Sequence, residues 1–232
     1  MIKVVFDHIE GFGKITEQDF IYSDPKGIAV GKDYIDYLES GWVEWGAYWY
    51  NLRSVRLDLT QYKASKTAQK LARSIRCSRH LLTPEIIELL EPIYSEYIGK
   101  HGFQRKIELK DFLTTEDFFV LLYYKEEKLI GALIHKVYEQ DEESAFVSYQ
   151  FLWDYQEPKL SLGNISQMYE CQLAKLQGCK YLYLLGGYEE SCIYKSQFRG
   201  FQWWTGKEWS TDISLYTKLC QRDSHAHIRT PQ

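Results

Sequence analysis

Eight cations, Arg53, Arg56, Lys63, Lys66, Lys70, Arg73, Arg76 and Arg79, fall in one stretch where Asp58 is the only acid. Lys63, Lys66, Lys70 and Arg73 recur at steps of three and four, which gathers them on one face of a helix. A solvated helix face has that pattern, and so does a stripe that docks a phosphate backbone, where phosphate contacts supply most of the affinity. Further on, Ser161-Leu162-Gly163 opens a helical pattern, and the free N–H groups of a helix start can bind an anion. The loop leading to it, Gln156 to Gly163, holds one Gly, and Pro158 removes a donor. There is no Walker loop, no His-Glu-x-x-His and no Gly-x-Ser-x-Gly. The six histidines show no paired spacing, and His135, inside a strand pattern, reads as structural. Cys77, Cys171, Cys179, Cys192 and Cys220 are spread and form no Cys-x-x-Cys, so neither a zinc site nor a disulfide framework is expected. Nothing local marks Cys192 as a nucleophile.

The elements that must position these groups come from a chain of 232 residues, 45% of them hydrophobic. That is core enough for one large or two small domains. An aromatic share of 16% suits strands and leaves rings over for a groove. A formal charge of -4 argues against a protein that coats nucleic acid along its whole surface, and leaves room for a local basic patch. No apolar run approaches ~20 residues, and Asp7 interrupts the N-terminus, so neither a membrane span nor a signal peptide is expected and the cytoplasm is the expected compartment.

The first stretch, to about Tyr62, alternates aromatic runs with Gly11, Gly13, Gly27, Gly31, Gly41 and Gly46 and reads as hairpins. Residues 33–41 predict a short helix ended by Gly41, and strands are expected over Trp42 to Asn51 and Leu52 to Leu59. Ser65 predicts the N-cap of a helix reaching about Arg76, and Thr83-Pro84 opens another to about Gly99, with Ile86, Leu89, Leu90, Ile93 and Tyr97 on its apolar face. A short helix is expected at Thr115 to Asp117. Strands follow over Phe118 to Tyr124, Leu129 to Tyr138 and Ser144 to Trp153, then a helix from about Asn164 to Gln177 with apolar Ile165, Met168, Leu173, Ala174 and Leu176. Lys180 to Leu185 predicts a strand, and Phe201 to Trp204 with Glu208 to Ser210 a hairpin. The tail from Arg222 is polar and expected to be disordered.

An antiparallel meander leading into helix, strand, helix and hairpin is the element order of the GNAT, or acyl-CoA N-acyltransferase-like, fold. The expected architecture is therefore an α/β mixed sheet with flanking helices, preceded by a small aromatic-rich region. Residues 1–80 are expected to form an N-terminal region with the basic helix, 81–220 the GNAT-like domain and 221–232 a flexible tail. Acetyl-CoA enzymes of this fold carry a Gly-rich loop before the central helix to hold the pyrophosphate, and Gln156 to Gly163 lacks it. Fold alone does not fix function.

Ser161-Leu162-Gly163, Glu170, Tyr181-Leu182-Tyr183-Leu184, Gly186, Tyr188, Ser191-Cys192 and Tyr194-Lys195-Ser196-Gln197-Phe198-Arg199 come in the order and spacing of one known pattern. The run resembles the C-terminal domain of arginyl-tRNA-protein transferases. Asp154, Gly41-Trp42 with Gly46, Tyr48 and Tyr50, and Tyr62-Lys63-Ala64-Ser65-Lys66 extend the likeness over roughly residues 33 to 210. The family's N-terminal Cys-x-x-Cys and its Cys pair, associated with metal or iron-sulfur binding, are absent here, and Ala64 stands where the family has Pro.

The resemblance implies an aminoacyl-tRNA as donor and co-substrate and an acceptor amine on a protein, peptide or small molecule; with the family's cysteines absent, no metal and no further cofactor are expected. Lys63, Lys66, Lys70, Arg73 and Arg76 would then bind tRNA. Among Trp42, Trp45, Trp49, Trp203, Trp204 and Trp209, one or two rings would stack the acceptor end. Aminoacyl transfer starts from an activated ester, so the protein need only position two partners, accept a proton and stabilise an oxyanion. Asp154, Glu170 and Tyr188 are the candidates for holding ammonium groups and relaying the proton. Backbone N–H groups of Ser161, Leu162 and Gly163 would meet the oxyanion, and Tyr194, Lys195, Gln197 and Arg199 would hold phosphate or an acidic acceptor. A CoA-dependent N-acyltransferase and a non-catalytic RNA-binding module are the competing expectations.

Overall fold

A computed structural model describes residues 2–6, 26–29, 32–45, 48–51, 53–101, 108–114, 117–154, 156, 158–188 and 190–227. Expectations resting on Gly11, Gly13, Gly31, Gly46, Leu52 and Thr115 lie outside them, as does the chain beyond His227. The chain divides into two compact units: residues 1–62, 138–145 and 180–232 form the first, and residues 63–137 and 146–179 the second. The expected boundary near residue 80 is not where the chain divides. The basic helix belongs with the central meander, and strand 54–58 with the C-terminal hairpin.

In the first unit, β1 (Ile2–Phe6), β2 (Lys26–Ala29), β3 (Trp42–Trp45) and β4 (Tyr48–Asn51) make an antiparallel sheet in the order β1-β2-β4-β3. The helix α1 (Tyr34–Glu39) precedes β3, and Gly41 turns the chain at φ +79°, where an added Cβ would sit 2.3 Å from the Trp204 ring. Tyr34, Tyr37 and Trp49 cluster with Tyr138, whose hydroxyl donates to Glu44.

The same unit holds β5 (Ser54–Asp58), flanked by β10 (Tyr181–Gly186) and β11 (Phe201–Trp204), with β12 (Trp209–Ser210) at the edge, all antiparallel. Ser54, Val55, Arg56 and Leu57 of β5 are all buried, because both faces of this central strand are covered. The last helix, α5 (Ile213–His227), takes in the first residues of the segment expected to be a disordered tail, and Asp223 on it is fully buried. Composition pointed to a tail, but Tyr216, Cys220 and Asp223 recur at helical steps and give α5 an inward face.

The second unit holds β6 (Ile75–Leu81), β7 (Phe118–Lys125) and most of β8 (Lys128–Gln140) and β9 (Glu143–Trp153), a meander in the order β9-β8-β7-β6. Glu126 and Asp141 adopt positive φ at its two tight turns. Two helices, α2 (Lys66–Ala72) and α4 (Leu162–Leu176), pack Ala68, Ala72, Leu162, Ile165 and Met168 against Leu121, Tyr123, Ile130 and Leu133. Each large aliphatic side chain buried there contributes about 1.5–3 kcal/mol. The long helix α3 (Pro84–His101) buries Ile87, Leu90, Ile93 and Tyr94, so its inward face is turned from the expected one and Leu89 is exposed. No described helix is long and apolar enough to cross a membrane.

Candidate functional site

The side chain of Ser65 accepts from Ala68 N–H at 3.0 Å and starts α2 as expected. The helix ends at Ala72, however, and Ile75 already pairs with Lys125 in β6, so Arg76 lies on a strand and Lys63 before the helix. Pairing with β7 overrides the helical spacing, which is the usual outcome when ladder bonds compete with a weak propensity. Lys66 and Lys70 remain one turn apart on α2, Arg73 follows at its C-cap, and all five predicted cations are exposed. The Arg76 guanidinium lies over the Tyr124 ring at 4.3 Å.

At the end of β9, Asp154 N–H donates to the Ile130 carbonyl at 2.9 Å. Its Oδ1 accepts from Gln156 N–H at 2.7 Å, and its Oδ2 pairs with Lys128 Nζ at 2.5 Å. A 3-10 turn at Pro158–Leu160 leads to Ser161 in the left-handed region, φ 51° and ψ 47°. Its carbonyl accepts from Asn164 and Ile165 N–H, and the N–H groups of Leu162 and Gly163 find no acceptor among the described residues. Strain at a non-glycine residue, together with two outward donors at the positive end of a helix, suits an anion site. Ile130, Trp153, Asp154, Leu160 and Leu162 line a recess there. Asp154, Ser161, Leu162 and Gly163 are thus brought together.

Glu170 is not part of that group. It lies two turns further along α4, roughly 13 Å from Ser161 at 1.5 Å per residue, and is only 4% exposed. Its Oε1 accepts from Ser166 Oγ at 2.8 Å, and Ser166 Oγ is in turn 2.9 Å from the Tyr123 hydroxyl. Oε2 has no hydrogen-bond partner among the described residues. Burial pushes the carboxyl up to about 7, with Ser166 and Ser148 pulling the other way. The carboxyl expected to take part in catalysis is thus enclosed in the core beside Ser166 and Tyr123, and the structure does not bring it to the helix start. The Cys77 thiol nearby is pushed up to about 12, mainly by burial, and is inert.

In the first unit, β10 is kinked at Leu185, φ 56°, where its register with β5 shifts. Lys195 Nζ donates to the carbonyls of Leu184 and Gly186, both at 2.8 Å, and so clamps the bulge. Its ammonium was expected to hold phosphate; the structure gives it to the backbone instead. Tyr188 is half-buried, and its hydroxyl accepts from Arg53 N–H at 2.8 Å. Tyr194, Gln197 and Arg199, on or just beyond the 3-10 stretch Glu190–Gln197, are exposed.

Spacing counted Arg53 and Arg56 with the clustered cations and passed over Asp223; the structure buries Arg53 with Asp223 as an enclosed ion pair and Arg56 among rings. Two arginines amid strand formers were the available signal, since arginine is almost never buried without a partner. His135 is enclosed between Phe119 and Phe146, accepts from Arg79 Nε, and is pushed down to about 3 by burial and the Arg79 charge, a structural histidine.

An α/β build in which an antiparallel meander runs into a helix with an open N-terminus, then a strand and a hairpin, defines a GNAT-like transferase fold. A family model described as arginine-tRNA-protein transferase, C terminus, matches residues 85–205, more than half of the chain. The chain belongs to that family. A search of curated proteins finds no match. Among solved structures, the C-terminal domain of a protein described as a lysylphosphatidylglycerol synthetase from Agrobacterium fabrum is similar at 15% identity and a TM-score of 0.48, over 62% of this chain and 49% of that one. L-PGS from Bacillus licheniformis is similar at 14% identity and 0.46, over 66% and 49%. A GCN5-related N-acetyltransferase from Kribbella flavida follows at 10% and 0.40, over 59% and 48%. The chain spans about half the length of these three structures.

Proposed function

We propose that this protein moves an amino acid, arginine or another, from an aminoacyl-tRNA to an acceptor amine such as a protein or peptide N-terminus. The family match over residues 85–205 carries the reading. The loop before α4 supports it, since Ser161 to Gly163 offers two backbone donors and no glycine-rich cradle for a pyrophosphate.

In this reaction the acceptor nitrogen attacks the ester carbonyl carbon. The C–N bond forms, the bond from that carbon to the ribose oxygen breaks, and the amine proton passes to the leaving hydroxyl, giving an amide and free tRNA. A free α-amine titrates near ~7.7–8, so a strong base is not required. The N–H groups of Leu162 and Gly163 are assigned to the oxyanion or a phosphate. Asp154, held by Lys128 and the Gln156 N–H, fixes the approach to that helix start. Tyr188, anchored on Arg53 N–H, is assigned to the proton relay, and Lys195 to holding the end of β10. Exposed Tyr194, Gln197 and Arg199 are assigned to the acceptor or to phosphate, and Lys63, Lys66, Lys70, Arg73 and Arg76 to the tRNA backbone.

Incubation with individually charged tRNAs and a panel of acceptor peptides, read by mass spectrometry, tests this. One charged tRNA should add the mass of one aminoacyl residue to a peptide. No adduct from any of them would end the reading.

A further inference from the structure

Two buried arginines stand three residues apart and are treated differently by the fold. Arg53 is matched by Asp223 at 2.9 Å. Arg56, 6% exposed in the middle of the β10-β5-β11 ladder, has no carboxylate within ion-pair distance among the described residues. Its Nε donates to Gln202 Oε1 at 2.7 Å, and Nη1 reaches the Tyr183 hydroxyl at 3.5 Å. The guanidinium carbon lies 3.6 Å from the centre of the Tyr181 ring and 4.0 Å from that of Trp209. Nη2 has no acceptor among the described residues, and it is not among the side-chain atoms sealed from solvent without one.

A desolvated cation without an acid is costly unless something anionic completes it. Asp58 spends both oxygens on Thr60 and Gln61, and the Glu39 carboxylate acts through space on Tyr183. Two rings and Gln202 hold the fork in one plane, which is the preorganisation that oxyanion recognition by arginine needs. The rings themselves, Tyr181 and Trp209, are half-exposed, and exposed Lys180 places its ammonium 5.0 Å from the Tyr181 ring.

We propose that Arg56 is an oxyanion-binding residue on this sheet face, that the anion is a phosphodiester of single-stranded RNA, and that the rings of Tyr181 and Trp209 receive an adjacent base. A peptide carboxylate would answer the guanidinium alone, whereas stacking on aromatic side chains beside a cation is how unpaired RNA is held. The inference rests on the aminoacyl-tRNA reading and names the part of the chain that takes the carrier's unpaired end.

The probe is the trinucleotide CCA bearing a 5′-phosphate, titrated calorimetrically into the full chain and into Arg56→Lys and Trp209→Leu, with triglutamate as the competing acidic peptide. Each folded variant should bind CCA at least about fivefold more weakly, the lower end for loss of one stacking contact. Photo-crosslinking of a thiouridine-containing oligonucleotide to the unaltered protein should map to β10, β12 or both, whether or not the variants fold. Unchanged affinity in a folded variant, crosslinks elsewhere, no CCA binding, or displacement of CCA by triglutamate would each overturn the inference. If transfer from charged tRNA persists while CCA ignores Arg56, only this inference fails. If no charged tRNA supports transfer, the reading beneath it fails as well.

Discussion

Asp223, near the end of α5, holds its carboxylate 2.9 Å from the guanidinium of Arg53, and neither side chain is more than 1% exposed. The contact is an ion pair without good hydrogen-bond alignment at Oδ2, and Arg222 donates to Oδ1 at 2.6 Å. Through Arg53 the pair reaches the Gly187 carbonyl and the Tyr188 hydroxyl. Tyr216, Cys220 and Ser224 of the same helix bond the backbone of Cys192, Gly187 and Glu190. The segment after β10 is therefore strapped to α5, which lies beyond the residues matched by the family model.

Removing one partner of such a pair strands a buried charge. Asp223→Ala is expected to cost roughly 3–5 kcal/mol in urea unfolding. Hydrogen exchange across residues 187–197 should accelerate in it, while β7 to β9 keep their protection. A variant as stable as its parent would show that Arg53 has another counter-charge.

Glu170 gives a pH signature with a definite sign. Its folded pKa, about 7, stands above the ordinary 4.5, so between those values the folded chain keeps a proton that the unfolded chain releases. Its contribution to stability is full below pH 4.5 and is lost as pH rises through 7, by about 3 kcal/mol in total. Glu170→Gln should therefore gain on the parent between pH 5 and pH 8 in melting temperature. His135, held down to about 3, has the opposite slope below pH 6.5 and is present in both proteins. Parallel curves for the two would remove the buried carboxyl from the pH response.

Charge reversal of Lys66 and Lys70 together should weaken tRNA binding and lower the slope of log K against log salt by about 2, one unit per lost phosphate contact. Filter binding over a salt series measures it. A slope equal to that of the parent would take α2 out of the interface.

Gly200 sits at φ +85°, and a Cβ there would lie 2.3 Å from the Asp58 carbonyl oxygen. The same peptide accepts Asp58 N–H at 2.8 Å. Gly200→Ala is expected to destabilise by more than about 1 kcal/mol, since both conformation and space oppose it. Chemical unfolding decides; a neutral result would mean that β5 can move away from the turn.

Much of the scaffold was legible because local rules and tertiary packing agree there. The Ser65 cap, the stop at Gly41, the meander β7 to β9 and the hairpin β11–β12 fall where period and turn residues put them. What failed was decided by partners distant in sequence. Ile75 leaves the helical pattern to pair with Lys125, and Leu176, counted on the apolar face of α4, is 85% exposed because nothing covers the helix end. The site divides in the same way. Ser161 to Gly163 could be read as a helix start with open donors, but the burial of Glu170 and the clamping of Lys195 depend on the strand each one faces.

The central claim concerns the donor, and a single-turnover transfer assay addresses it. The protein in excess is mixed with tRNA carrying a labelled amino acid, an acceptor peptide panel and, in a parallel arm, labelled acetyl-CoA. The account predicts that label leaves the tRNA and appears on peptide in amide linkage at matching rates, with none arriving from acetyl-CoA. Label retained on tRNA while acetyl groups reach the acceptor would contradict it.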